Sequence, residues 1–147
     1  MRQIKFRGRR LDNGKWVYGD LIENQGRFFI YHATSETTTK DSDDGHITVV
    51  AVAVDGSTVG QFTGRYDKNG REIYEGDIVR FPVNGPTEDT AVLKTSEVKW
   101  NKDLFRFTVL SELWRSEYCI IDGGRVGQME VICNIHDNPE LLKGGEE

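Results

Sequence analysis

The 147-residue sequence predicts a mainly β protein made of two small units related by an internal repeat. Three observations predict it. First, Phe6-Arg7-Gly8-Arg9, Asn13-Gly14-Lys15-Trp16-Val17-Tyr18 and Gly19-Asp20-Leu21-Ile22 have counterparts further along the chain. These are Phe62-Thr63-Gly64-Arg65, Asn69-Gly70-Arg71-Glu72-Ile73-Tyr74 and Gly76-Asp77-Ile78-Val79, with one inserted residue, Glu75. Repetition at kept spacing marks two copies of one structural unit. Second, short segments of alternating character are separated by turn dipeptides. Third, almost no stretch carries the apolar period of a helix. The expected division is an N-terminal unit, 1–57, and a C-terminal unit, 58–147.

The elements follow in order. Ile4, Phe6 and Gly8 alternate with Lys5, Arg7 and Arg9, the two-residue period of a strand with one buried face. Asp12-Asn13-Gly14 is a hairpin turn, since Asn-Gly tolerates the positive φ that a type I′ turn requires. Trp16 to Ile22 is the return strand, Gln25-Gly26 a turn, and the aromatic Arg27–His32 a third strand. Residues 34–45 are polar and acidic, with nothing to bury, and are expected to form a mobile loop. Ile47 to Val54 is apolar and β-branched, as suits a strand covered on both faces, by the chain's own core or by a second subunit.

The second copy turns at Asp67-Lys68-Asn69-Gly70 and corners at Glu75-Gly76-Asp77 before the strand Ile78-Val79-Arg80-Phe81. Asn84-Gly85-Pro86 signals a loop. Ala91–Trp100 reads as a strand or a strand pair, Leu104–Leu110 as a strand, and Glu112–Ile121 as either a helix or a strand. Met129, Val131, Cys133 and Ile135 share one face of the last strand. Asn138-Pro139-Glu140 then starts a short helix, with Asn as cap and Pro at the first position. The second unit has the look of a small SH3-like barrel.

Composition narrows the function classes. A net charge of −5 argues against a protein whose whole surface neutralises phosphates, while leaving room for a local basic patch. Two cysteines are too few for a disulfide scaffold and are read as reduced thiols of a cytoplasmic protein. The start, Met1 to Lys5, has no apolar stretch behind its basic residues, so no secretory leader is expected. The longest apolar run, Val49 to Val54, is too short to span a bilayer, and no membrane association is expected.

The stretch Thr58-Val59-Gly60-Gln61-Phe62-Thr63-Gly64, followed by Asp67 to Val79, resembles the signature of the YopX family of phage and prophage proteins. Ile4-Lys5-Phe6-Arg7, Trp16 to Asp20, and Asn134-Ile135 with Asn138 to Leu142 fit the same family. The resemblance implies a mainly β protein encoded by a bacteriophage or prophage, acting in the bacterial host cytoplasm. It carries no established activity, and therefore no catalytic residue, to this chain.

The most suggestive surface feature is the basic row Lys5, Arg7 and Arg9, with Arg10 nearby and Trp16 or Tyr18 available for stacking. Such a row can track a phosphate backbone, or it can simply keep a strand from aggregating. The second copy has Gln61 and Thr63 in place of Lys5 and Arg7, so this charge is no requirement of the repeated unit. Other constellations are weaker. Placing Gly45 at the sixth position of a calcium loop puts Lys40 first and Ala51 twelfth, and Gly70 puts Arg65 first and Gly76 last, so both fail. Cys133 and His136 diverge on a strand, and Cys119 adds no zinc-type spacing. Asp20 and Asp77 read as corner residues that bond nearby backbone N–H groups.

The leading expectation is therefore a non-enzymatic β module, with no cofactor, that binds a host or phage protein or assembles with itself. A nucleic-acid-binding module using the basic strand is the alternative. An enzyme with an unrecognised site is the least favoured.

Overall fold

Gly8 faces inward between long basic neighbours, and this alternation makes β1 (Phe6–Arg10). Gly14, at φ 67°, closes the turn to β2 (Trp16–Asn24), and the two strands pair antiparallel with Arg7 opposite Tyr18 and Arg9 opposite Trp16. Gln25 and Gly26, at φ 52° and 74°, make the next turn, to β3 (Arg27–Ala33). β4 (Val49–Tyr66) pairs with β3 along its first part and with β1 further on, so β1-β2-β3-β4 closes on itself. This computed structural model describes residues 3–33, 49–84, 91–103, 106–111, 116–119 and 127–142. It divides into two compact units, Met1–Gln61 (unit 1) and Phe62–Glu147 (unit 2), with the division inside β4.

The core of unit 1 is Val17, Ile30, Val52 and Val54, with Phe6, Leu21, Phe28 and Val59 packed against it. The closed sheet is tight. A Cβ on Gly19 would collide with the carbonyl oxygen of Tyr31, and one on Gly8 would sit 3.0 Å from the Val54 side chain. Within the chain this strand is covered on one face: Val52 and Val54 are buried, while Ala51 and Ala53 are exposed. A single small sheet can bury only its inner face, and alternation sends every second residue outward.

In unit 2 the last part of β4 pairs with β5 (Glu72–Tyr74) around a turn at Lys68-Asn69-Gly70, with Gly70 at φ 78°. Glu75-Gly76, with Gly76 at φ 80°, turns the chain into β6 (Asp77–Asn84). The second sheet follows, with β7 (Ala91–Asn101), β8 (Arg106–Ser111), β9 (Ser116–Cys119) and β10 (Glu130–Asn134) in the order β10-β6-β7-β8-β9. All its pairings are antiparallel. Its core joins Ile73, Val79, Phe81, Val98, Phe107, Val109, Met129 and Val131. The fold is thus all-β, in antiparallel sheets, as the sequence predicts.

Three local expectations are corrected. A register shift between Val131 and Cys133 breaks the alternation of β10, so Asn134 is buried and Cys133 only half-buried. The C-terminal helix is a single 3₁₀ turn, Pro139–Leu142, beside which the Asn138 side-chain amide donates to Glu140 Oε1 (3.0 Å). The repeated Gly-Asp is a corner in unit 2 only; in unit 1, β2 runs straight through Gly19-Asp20. The expected loop at 34–45, most of 112–121 and the C-terminal tail lie outside the described residues.

Candidate functional site

Strand register assembles the predicted row. Arg7 and Arg9 lie on the face of β1 opposite Gly8, which packs on Val54, and Lys5, just before the strand, continues their row. Trp16 and Tyr18 stand across from Arg9 and Arg7 on β2. The Arg7 guanidinium carbon lies 4.9 Å from the centre of the Trp16 ring and that of Arg9 lies 5.7 Å from it. Lys5 Nζ lies 5.7 Å from the centre of the Tyr18 ring. Cations within about 6 Å of a ring face are attracted by its quadrupole. The result is a ladder in which cations and rings alternate along two paired strands.

Its members differ in access. Tyr18 is 42% exposed, Lys5, Arg9 and Trp16 are half-buried, and Arg7 is only 3% exposed. Arg7 is therefore not one of three charges projecting into solvent; it lies against Trp16 and holds that ring in place. Arg10 points away from the ladder. Its guanidinium binds Asp12 through two contacts, at 2.6 and 2.9 Å, which raise the pKa of Arg10 and lower that of Asp12.

The corresponding positions of the second hairpin are used internally. Thr63 Oγ1 donates to the carbonyl of Ile73 at 2.8 Å, and Tyr74, 2% exposed, donates its hydroxyl to Glu72 at 2.6 Å. Charge follows the same division. Unit 1 contains 8 Lys and Arg against 8 Asp and Glu, and unit 2 contains 11 against 16, so the whole net charge of −5 belongs to unit 2.

A second surface feature went unread in the sequence. Leu21 and Ile30 face the core of unit 1, so their neighbours Ile22 and Phe29, paired across β2 and β3, share the outer face. Phe29 also pairs with Ala53, and the Leu11 N–H donates to the Ala53 carbonyl at 3.1 Å. Ile22 is 44% exposed and Leu11 68%. A shallow groove of about 500 Å³ lies between Leu11, Phe28, Phe29, Ala53, Arg27 and Asp55. The signal was available: in β2, Trp16, Tyr18 and Ile22 fall on one parity.

The remaining constellations have structural roles. Asp67, in the turn tested as a calcium loop, is 6% exposed and accepts N–H bonds from Asn69 (2.8 Å), Arg71 (2.9 Å) and Val131 (3.0 Å). Burial pushes its pKa up, but the backbone donors Val131, Arg71 and Asn69, helped by the Arg71 charge, outweigh that and hold the carboxyl below its usual range. Asp77, 1% exposed, accepts the Tyr74 N–H at 2.7 Å, whereas Asp20 is exposed. The Cys133 thiol is pushed up, first by burial and then by the charges of Glu140, Asp77 and Asp137, the reverse of an activated nucleophile. The acidic segment Asp41–Asp44 lies outside the described residues, and among the described residues no cluster of His, Cys, Asp and Glu could hold a metal ion.

Fold and surface together define a class: a two-unit antiparallel β protein whose first unit displays a basic and aromatic ladder. The chain belongs to the YopX family, whose model, described as YopX protein, matches residues 5–143. Among solved structures it is similar to protein EF1440 from Enterococcus faecalis, at 24% identity and a TM-score of 0.52, over 97% of this chain and 99% of that one. At that identity the likeness concerns the fold. No functionally curated protein matches the chain.

Proposed function

We propose that the protein is a non-enzymatic β interaction module of phage or prophage origin, working in the bacterial host cytoplasm, and that the outer face of unit 1 engages an anionic partner. One observation carries this reading. Two hairpins share their Asn-Gly turn, yet only the first carries the Lys5, Tyr18, Arg7, Trp16, Arg9 ladder, so the fold does not require it. Among the described residues no helix is long and apolar enough to cross a membrane, which fits the proposed setting. The same reading takes unit 2, whose main sheet has five antiparallel strands, as an SH3-like barrel. The test is a pull-down from induced host cells with tagged wild type and a Lys5→Glu/Arg9→Glu variant. Partners retained by the wild type should be lost by the variant. Equal retention would overturn the reading.

A second reading rests on the apolar outer face formed by Leu11, Ile22, Phe29 and Ala53. Exposed apolar surface beside a sheet that already has its own core marks a docking surface, and here the occupant is a second copy of the chain. Light scattering should give a dimer or larger assembly for the wild type and a monomer for Ile22→Asp. A monomeric wild type at high concentration would rule this out.

A further inference from the structure

We infer that the anionic ligand of the unit 1 ladder is single-stranded nucleic acid, its backbone lying along β1 and its bases stacking at Tyr18 and Trp16. The inference rests on the proposed function and names the ligand class. An acidic protein surface is matched by cations, but its carboxylates offer no ring for the interleaved aromatic side chains to stack on. A duplex keeps its bases stacked on one another and offers rings nothing to stack on. A single strand presents both phosphates and π faces, and sequence-tolerant binding uses a positive track lined with aromatic side chains. Here the two are interleaved: Lys5 beside Tyr18, and Arg7 and Arg9 beside Trp16. The two accessible cations, Lys5 and Arg9, are four residues apart, roughly 13 Å along a strand. That is close to two phosphate steps of an extended single strand.

The members have separate tasks. Lys5 and Arg9, half-buried, meet phosphates, and Tyr18, 42% exposed, stacks a base. Arg7, 3% exposed, is a positioning residue that holds Trp16. The neutral balance of unit 1 matters as well, because the acidic excess of the chain belongs to unit 2.

Fluorescence anisotropy of the full chain tests this with three probes: a labelled oligothymidine longer than about 16 nucleotides, a mixed-sequence duplex and polyglutamate. At about 50 mM salt the oligothymidine should bind at least about tenfold tighter than the duplex, and its affinity should fall steeply towards about 200 mM. Tyr18→Ala, at an exposed position, should weaken it by about tenfold. Lys5→Glu/Arg9→Glu should abolish it, with circular dichroism confirming that both variants fold. No binding of the oligothymidine, equal binding of the duplex, or an unaffected Tyr18→Ala would each overturn the inference. If polyglutamate alone binds, and binds through Lys5 and Arg9, the inference fails while the proposed function stands. If no probe binds and the host pull-down ignores the charge reversal, the proposed function itself fails.

Discussion

The two Asn-Gly hairpins share a turn and diverge in everything the turn does not control. In unit 1 the strands run in unbroken register from Phe6–Gly19 to Arg9–Trp16, and β2 continues through Gly19-Asp20. In unit 2 the register slips between Phe62 and Tyr66, where Gly64 takes φ 82°, and Glu75-Gly76 breaks the return strand so that Asp77 is buried at a corner. The turn of unit 1 is held by Arg10, Asp12, Asn13 and Lys15 and by a main-chain bond from Leu11 to Ala53 of β4, and Leu11 brings no side-chain acceptor to it. That of unit 2 is clamped to β10 through Asp67–Val131 and Lys68–Met129. One sequence device can thus make an outward-facing hairpin whose cations and rings lie against one another, or an inward-facing one whose side chains are used for packing.

The largest test of that contrast is Asp67→Ala against Leu11→Ala, which are equivalent positions. Losing a buried carboxylate that accepts three backbone N–H bonds should cost about 3–4 kcal/mol in urea unfolding. Leu11→Ala, at a 68% exposed site, should stay within about 0.5 kcal/mol. Equal losses would mean that the clamp is no clamp.

Gly19→Ala should come next, at about 2–3 kcal/mol, because its Cβ meets a backbone carbonyl that cannot turn aside. Gly64→Ala should cost about 1–2 kcal/mol for a different reason: nothing lies within 4 Å, so the cost is the positive φ alone. Gly64→Asn, which tolerates that region, should recover part of the loss, whereas Gly19→Asn should recover none. Recovery by Asn at both sites would mean that Gly19, too, is needed for its backbone conformation and not for the close approach of Tyr31.

The smallest effect is acid sensitivity. The native pKa of Asp67 lies below its unfolded value of about 3.9. Its contribution is therefore present above the unfolded pKa and is lost as pH falls through the native one. Between about pH 5 and pH 3, wild-type stability should fall more steeply than that of Asp67→Asn. Parallel curves would remove Asp67 from the account.

Much of this was legible beforehand. Asn13-Gly14 and Asn69-Gly70 announce their turns, because positive φ is a local cost that the residue itself sets. The alternation of β1 identified Lys5, Arg7 and Arg9 as one row, and Trp16 and Tyr18 as partners within reach of the return strand. The burial of Arg7 and the apolar outer face of Ile22 and Phe29 were not read, since both depend on which strands close the sheet. The role of Asp67 was hidden as well: its third partner, Val131, is 64 residues away.

By itself, then, the sequence settled where this chain turns, where it runs extended and which side chains share a strand face, because those are matters of φ, ψ and a two-residue period. Only the tertiary structure decided the closing of β1 on β4, the slip at Gly64 and the tie from Asp67 to β10. Each depends on a partner strand or a shared core beyond the reach of local preference, where packing and the need to satisfy buried N–H groups select one register among several that the local sequence would accept.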